Sequence, residues 1–143
     1  MDKSLHPFKK EIEEFIKEEK DFIDQAALLW KLIYYRVLEY QNAHKEWIFV
    51  RHEDLSRDPI SGFQSLFEKL SLSFSEHEAG VITRHSFAEK NDSVGPNAEF
   101  TDIKRDSAST IETWRTRLTP AEIAQVKFRV ERVSREFYSE DEW

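Results

Sequence analysis

The sequence predicts a mainly α-helical chain of about six helices, with one short strand over residues 47–51. Only three glycines and four prolines occur in 143 residues, so turns are few and the helices between them are long. Apolar residues recur at helical spacing along most of the chain, whereas one short run alone is β-branched and aromatic. We therefore expect a helical protein in which the single strand is the exception.

The N-terminal part of the chain predicts two helices. From residue 8 to residue 23, apolar side chains at helical spacing stand among lysines and glutamates, which is typical of an amphipathic surface helix within residues 1–25. Asp21 or Asp24 can cap the next helix. Over residues 26–40 apolar side chains surround most of the helix axis, so we expect this helix to be packed on several sides and to form the core.

Residues 47–50, with the sequence WIFV, predict a buried strand of about five residues. A strand without neighbours leaves its backbone donors and acceptors unpaired. Two arrangements would satisfy them: the chain associates through that edge, or it is one part of a larger α/β domain whose other strands lie elsewhere.

Capping residues mark the later helices. They are Asp58-Pro59, Ser75 with Glu78, and Thr119 with Glu122. Apolar residues over 111–118 indicate a further short helix, and His85 or Phe87 continues the apolar face of the helix that Ser75 opens. Residues 88–107 have no periodicity and predict a long loop, which in a compact domain is usually functional or disordered.

Composition excludes several classes of protein. The chain has no cysteine, which excludes disulfide scaffolds and thiolate metal sites, and its net charge of -7 argues against a nucleic-acid binder. His52-Glu53 and His77-Glu78 each lack a second histidine four residues on, so no metal site is predicted. There is no apolar N-terminal leader and no apolar run long enough to span a bilayer. We expect a cytoplasmic protein without a membrane partner.

A local excess of positive charge stands out in this acidic chain. Residues 102–135 contain eight basic and five acidic residues. Lys104 and Arg105 precede a predicted helix start that also carries Ser107 and Ser109, a favourable composition for a site that binds a small anion. The alternative is a solvated helix face with ion pairs between residues four apart.

Three blocks, in order, resemble sulfotransferases that use 3'-phosphoadenosine 5'-phosphosulfate. Residues 48–59, IFVRHEDLSRDP, resemble the strand, Tyr-Glu-Asp-Leu turn and helix start of that family. Residues 85–87, with Asn91 beyond, are similar to the segment that lines the adenine. Residues 104–105, followed by the WRTRLT of 114–119, are similar to the family's Arg-Lys-Gly and Trp-Lys block, which clamps the 3'-phosphate. The resemblance covers residues 26 to 143.

The resemblance implies the site residues one by one. His52 stands where the family usually has the tyrosine that meets the adenine. His85 and Phe87 stand on the segment that lines the base, and Lys104 and Arg105 stand on the phosphate clamp.

Two substitutions depart from the family pattern. A histidine at position 52 keeps a flat ring that can stack. Asp106 replaces the family's preferred glycine, which places a carboxylate beside the proposed phosphate and removes a flexible backbone position.

The resemblance also implies a fold and a reaction. The chain is expected to be the C-terminal half of a three-layer α/β domain with a P-loop-like fold, treated as one partial domain over residues 1–143. It would contribute adenine and 3'-phosphate binding to sulfuryl transfer from the nucleotide to a hydroxyl or amine acceptor. The family's phosphosulfate loop and catalytic lysine lie upstream of the matched blocks and have no counterpart in residues 1–25. No catalytic residue is therefore assigned, and the chain is expected to be inactive alone.

A different class of function remains open from the residues themselves. An unpaired apolar strand and a largely apolar helix expose surface that monomers rarely tolerate. The chain would then be a non-catalytic helical interaction module without a ligand, which forms a homodimer or larger oligomer through the 47–50 edge and the aromatic helix.

Overall fold

The protein is described by a computed structural model that covers residues 3–18, 20–87 and 106–143. Contacts between Cα atoms divide the chain into two compact units. The first unit combines Met1–Trp47 with Arg117–Trp143, and the second is Ile48–Thr116. The first unit is therefore built from two segments that are far apart in the sequence.

Helices make up the first unit. Its elements are a 3-10 helix over Lys3–Phe8, α1 over Lys9–Lys17, α2 over Phe22–Ala43, α8 over Pro120–Ser134 and a 3-10 helix over Glu140–Glu142. The longest element is α2, and it packs against α8. The N-terminal 3-10 helix contacts both α1 and α2.

Two predicted caps mark the residues at which α2 and α8 begin. The Asp21 side chain accepts a hydrogen bond of 2.7 Å from the Asp24 N–H, so Asp21 is the residue that begins α2. Thr119 and Glu122 form the capping box at the start of α8, where Thr119 N–H donates to Glu122 Oε2 at 2.7 Å. Both predictions are confirmed, because capping depends on residues within one helical turn.

The core of the first unit lies between α2, α8 and the N-terminal 3-10 helix. Its buried apolar residues are Phe8, Ala27, Leu28, Val130 and Val133. Val130 and Val133 lie one turn apart on α8, which explains why both are 1% exposed. Phe8 also meets the Tyr35 ring edge-on, with 4.9 Å between ring centroids.

The prediction for the first helix is correct in type and wrong in extent. α1 ends at Lys17, and the backbone of Glu18 is extended (φ -119°, ψ 136°). Phe22 and Ile23 belong to α2. The Asp21 cap starts a new helix at a point where the apolar spacing alone predicted that the first would continue.

α2 is packed on fewer sides than the sequence indicates. Ala27 and Leu28 are buried, but Leu29, Ile33 and Tyr40 are among the most exposed apolar side chains of the described residues. The expectation of a helix packed on several sides is therefore wrong for the described part of the chain. Apolar residues around the whole axis predict burial only when partners exist on every side.

The predicted strand over residues 47–51 is also wrong. Ile48, Phe49 and Val50 carry no regular secondary structure, and within 3–18, 20–87 and 106–143 no residue forms a strand. Arg51 has extended backbone angles (φ -86°, ψ 137°), but a strand also requires a neighbour to exchange hydrogen bonds with. This removes the edge that the sequence offered for association, while the mainly helical character of the chain is confirmed.

The second unit contains shorter helices. They are α3 over His52–Arg57, α4 over Pro59–Lys69, α5 over Glu76–Ser86, α6 over Ser107–Ile111 and α7 over Thr113–Arg117, which ends at the unit boundary. α4 packs against both α3 and α5, and α6 packs against α3. The single short helix predicted near residues 111–118 is two helices, α6 and α7. Most of the predicted loop over 88–107 lies outside the described residues.

Two further capping predictions are confirmed here. Asp58 accepts from Ser61 N–H at 3.3 Å, and Pro59 is the first residue of α4. Ser75 N–H donates to Glu78 Oε2 at 2.9 Å, which completes the capping box of α5. These caps fix where α4 and α5 begin, and therefore where the candidate residues at the end of α5 lie.

Candidate nucleotide-binding site

His52 is the first residue of α3, and its side chain is exposed. The hydroxyl Oγ of Ser56, one turn further on, lies 3.3 Å from His52 Nε2. Ser56 itself is buried, at 6% exposure. The imidazole, at the start of α3, therefore contacts Ser56 and remains open to solvent.

α3 was not predicted, since residues 52–57 were expected to be a turn. A signal for it is present in the sequence: Glu53 and Asp54 lie in the first turn of the helix and Arg57 in its last. Acidic residues near the N-terminus and a basic residue near the C-terminus are favourable to the helix dipole. Asp54 also forms ion pairs with Arg51 and Arg57, with distances between nitrogen and oxygen of 3.7 and 3.5 Å.

His85 and Phe87 lie at the other end of a helix. His85 is exposed in the last turn of α5, and Phe87 is the residue that follows α5, with its side chain 48% exposed. The Phe87 N–H still donates to Thr83 O at 3.1 Å, so the backbone at this position is fixed. Ser86, between them, is buried. Neither ring continues the buried face of α5, contrary to the sequence expectation.

Glu78 completes the cap at the start of α5. Glu78 accepts hydrogen bonds from both the side chain and the backbone of Ser75. The Ser75 hydroxyl, followed by the backbone N–H groups, holds the pKa of Glu78 below its ordinary value. The Glu78 carboxylate therefore stays ionised to a lower pH than an ordinary glutamate, and the ionised form is the one that caps α5.

Lys104 and Arg105 lie outside the described residues. Asp106 is the next described residue, and its side chain caps α6 by accepting a hydrogen bond of 3.2 Å from Ala108 N–H. Ser109 Oγ donates to Asp106 O at 2.8 Å. Because a carboxylate already occupies the start of this five-residue helix, a phosphate here would depend on the two cations rather than on free backbone amides.

The elements that carry these residues belong to one unit. α4 is the common neighbour of α3 and α5, and α6, which begins two residues after Arg105, packs against α3. The approach of α4 to α3 is close at Gly62, where a Cβ atom would lie 3.0 Å from Leu55 Cδ2. The described fold therefore places α3 and α5 against the same helix, with His52, His85 and Phe87 on exposed positions.

Arg115, a basic residue of α7, is already paired. Arg115 Nε lies 2.5 Å from Glu112 Oε2, and the Arg115 guanidinium stands over the Trp114 ring at 5.1 Å. Trp114 is half-buried, in agreement with a packing role. These contacts are those of an ion-paired helix surface.

The described residues provide neither a metal site nor a membrane-spanning helix. In the ranges covered by the structure, no group of three or more His, Asp or Glu side chains is arranged to hold a metal ion. In the same ranges, no helix has the length and apolar character needed to cross a membrane.

A comparison with known proteins finds carbohydrate sulfotransferase 1 from Danio rerio. It is 34% identical to this chain over 74 residues, which are 51% of this chain and 17% of the relative. Part of the chain is similar to a sulfotransferase. The chain thus spans a small fraction of the relative's length. No family model matches the chain, and no solved structure matches it either.

Proposed function

We propose that this chain is the nucleotide-recognition part of a sulfotransferase-type protein. It binds the adenine and the 3'-phosphate of 3'-phosphoadenosine 5'-phosphosulfate, for transfer of the sulfuryl group to a hydroxyl or amine acceptor. The observation that carries this proposal is the 34% identity over 74 residues to a carbohydrate sulfotransferase. That relative's name makes a carbohydrate hydroxyl the first acceptor to test.

The exposure of the candidate rings supports the adenine part of the proposal. Phe87 is 48% exposed although phenylalanine is among the residues most often buried, and His52 and His85 are exposed as well. Flat rings that are open to solvent and fixed at helix ends can stack on a base, a contact worth about 1–3 kcal/mol per base. We assign the adenine wall to these three residues.

The order of helices supports the phosphate part. Lys104 and Arg105 directly precede Asp106 and α6, and α6 packs against the helix that His52 begins. Two adjacent cations suit a phosphate dianion, which each can meet with charge-assisted hydrogen bonds. The Asp106 carboxylate stands next to them and repels the same anion, so we expect weak binding from the chain alone.

No residue of this chain is assigned to catalysis. Sulfuryl transfer needs donors aimed at the oxygens of the transferring group, in line with the acceptor. The residues that supply them in the resembled family lie upstream of the matched blocks. We therefore expect this chain alone to bind the product nucleotide without transferring sulfuryl groups.

Calorimetric titration with 3'-phosphoadenosine 5'-phosphate tests the proposal. We expect binding at sub-millimolar to millimolar concentration, and at least about a tenfold loss in Lys104→Ala/Arg105→Ala, since each charge-assisted bond contributes about 1.5–3 kcal/mol. The matched control is Lys9→Ala/Lys10→Ala, which removes the same charge from α1, where both lysines only form exposed pairs with glutamates four residues on.

A second ligand separates the two parts of the site. Adenosine 5'-monophosphate lacks the 3'-phosphate, so its weaker binding should be unaffected by Lys104→Ala/Arg105→Ala and reduced by Phe87→Ala. Equal losses in the control and the test variant would show non-specific attraction and contradict the phosphate assignment. Absence of any heat at millimolar nucleotide would contradict the proposed function as a whole.

A further inference from the structure

The two faces of α2 reverse the usual distribution of charged and apolar side chains. Its buried face contains two charged residues, Asp24 and Lys31, each 6% exposed. Its outer face carries Phe22, Leu29 and Ile33, which are 80%, 61% and 51% exposed. A helix of a soluble protein normally buries its apolar stripe and solvates its charges. The outer face therefore lacks the cover that such a stripe normally has, within the part of the chain that the structure describes.

Asp24 and Lys31, the charged residues on the buried face of α2, both have ion-pair partners within the chain. Arg129 donates two hydrogen bonds to Asp24, from Nε at 2.9 Å and from Nη2 at 2.8 Å. Lys31 Nζ lies 2.6 Å from Glu11 Oε1. These long-range pairs fix the rotation of α2 against α8 and α1. The helix cannot turn its apolar face inward without leaving buried charges unpaired, which is strongly unfavourable.

The exposed face has the spacing of a coiled-coil seam. Its residues, which we call the outer stripe, are separated alternately by four and three positions. The outer stripe consists of Phe22, Ala26, Leu29, Ile33, Arg36 and Tyr40. Alternating steps of four and three repeat every seven residues and keep one helix face directed at a partner helix.

We propose that the outer stripe pairs with the outer stripe of a second copy of the chain, in an antiparallel arrangement about a two-fold axis. The axis lies at the level of residue 31, the midpoint of the stripe. The pairs across the axis are Phe22 with Tyr40, Ala26 with Arg36, and Leu29 with Ile33. A two-fold contact uses the same patch on both copies, and this stripe is complementary to its own reverse.

The sizes of the side chains favour this register. Two aromatic rings meet at each end, where edge-on or offset contact is favourable. Two branched aliphatic residues meet near the axis. The longest side chain, Arg36, faces the shortest, Ala26, and large residues opposite small ones are what close helix packing requires. In a parallel arrangement Arg36 would instead face Arg36 of the second copy.

Charge also favours a second copy at this face. Each chain carries a net charge of -7, so two copies repel over most of their surfaces. The outer stripe contains one charged residue, Arg36, and Glu39 neutralises it on the same helix, with Nη1 2.5 Å from Oε2. In the antiparallel register the two Arg36 residues are separated by ten helical positions, about 15 Å. The copies therefore meet at a face that carries little net charge.

The outer stripe offers a small area for contact. The exposed side chains of two outer stripes offer on the order of 1,000 Å² of apolar surface together, at the lower limit for a specific interface. An apolar cleft of about 600 Å³ between α1 and α2 borders the stripe at Leu29. We therefore expect a dimer with a dissociation constant of about micromolar order, independent of nucleotide binding.

Sedimentation velocity over a concentration series from about 1 to 200 µM tests the association. The wild-type chain should shift from monomer to dimer, and Ile33→Glu should remain monomeric with an unchanged far-ultraviolet circular dichroism spectrum. The matched control is Phe128→Glu, which makes the same change of charge at a residue of α8 that is 77% exposed and outside the stripe. A monomeric wild type, or equal loss of the dimer in both variants, would overturn the proposal.

Disulfide cross-linking tests the register, because the chain has no cysteine of its own. An equimolar mixture of Phe22→Cys and Tyr40→Cys should form a mixed disulfide-linked dimer on mild oxidation. Each variant alone should not, because identical positions lie about 27 Å apart in the antiparallel arrangement. Rapid linking of Phe22→Cys with itself would indicate a parallel pair and overturn the assignment.

Discussion

The two units differ in what holds them together. Every buried apolar residue of the described core except Pro59 belongs to the first unit, with Val130 and Val133 at its centre. Among the described residues of the second unit, the buried ones are Pro59 and two serines, Ser56 and Ser86. The second unit nevertheless carries every predicted nucleotide-binding residue. Packing and predicted recognition are thus concentrated in different parts of the chain, which suits a unit that gains stability when a ligand binds.

Removing the partner of a buried charge should have the largest effect. Arg129→Ala leaves Asp24 ionised, 6% exposed, and without its two strongest hydrogen bonds. We expect the free energy of unfolding of the first unit to fall by about 3 kcal/mol. Urea unfolding followed by circular dichroism measures this loss.

A second substitution shows whether the loss comes from the stranded carboxylate. Asp24→Asn/Arg129→Ala removes the charge as well, so it should recover part of the stability that Arg129→Ala loses. The opposite result is that the double variant loses as much unfolding free energy as Asp24→Asn and Arg129→Ala lose together. Additive losses would show that the two side chains act independently and that the buried pair is not the cause.

The two glycines in the described helices of the second unit, Gly62 and Gly80, should respond to alanine in opposite directions. At Gly62 a Cβ atom would lie 3.0 Å from Leu55 Cδ2, so Gly62→Ala should push α3 from α4 and destabilise the unit by about 1 kcal/mol. At Gly80 the nearest atom is Arg84 Nη1 at 3.9 Å, so Gly80→Ala should stabilise α5 by about 0.5–1 kcal/mol.

Amide hydrogen exchange locates these glycine effects. We expect Gly62→Ala to lower the protection of α3 and α4 while leaving α2 and α8 nearly unchanged, if the units open separately. Equal loss of protection in all four helices would contradict the division of the chain into units that differ in stability.

Acid should reduce the stability that the ionised Asp24 side chain gives to the first unit. The Arg129 guanidinium, through its hydrogen bond, holds the pKa of Asp24 below its ordinary value, with a further lowering from Gln125. A carboxyl with a depressed folded-state pKa stabilises the protein above its unfolded pKa and loses that contribution as the pH falls through the lower folded value. The stability advantage of the wild type over Asp24→Asn should therefore be constant above about pH 5 and should narrow below about pH 4.

Unfolding of the wild type and of Asp24→Asn at several pH values measures how their difference in unfolding free energy narrows. A difference that stays constant down to pH 2, or one that widens in acid, would show that Asp24 does not titrate with a depressed pKa in the folded state.

Local chemistry is what the sequence predicted correctly. Asp58, Ser75 and Thr119 all begin the helices that they were expected to begin, and of the two candidates for α2, Asp21 and Asp24, it is Asp21 that begins it. A cap needs only the next three or four residues. The mainly helical character followed from the same local signals.

Features that depend on distant partners were not predictable in this way. The run at 47–50 has the composition of a strand but no strand to pair with among the described residues, so its composition could not decide its structure. α2 looked like a buried helix because its apolar residues surround the axis. The pairing of Asp24 and Lys31 with residues of other helices, which decides its inner face, has no local signature.

The candidate site was predicted from resemblance and only in part from physical pattern. His52, His85 and Phe87 are named by their positions in three ordered blocks, and the structure places all three on exposed helix ends. Lys104 and Arg105 are the residues that local charge did indicate, and they fall outside the described ranges. Their role in holding a phosphate stays a prediction until the titration is done.

The distance in sequence between Asp24 and Arg129 has a consequence for biosynthesis. The two are separated by 105 residues, and a ribosome adds about 5–20 residues per second. Asp24 therefore leaves the ribosome about 5 to 20 s before the arginine that neutralises it exists. During that interval α2 lacks α8, the helix against which it packs, so the first unit can be completed only after the last residues of the chain have been added.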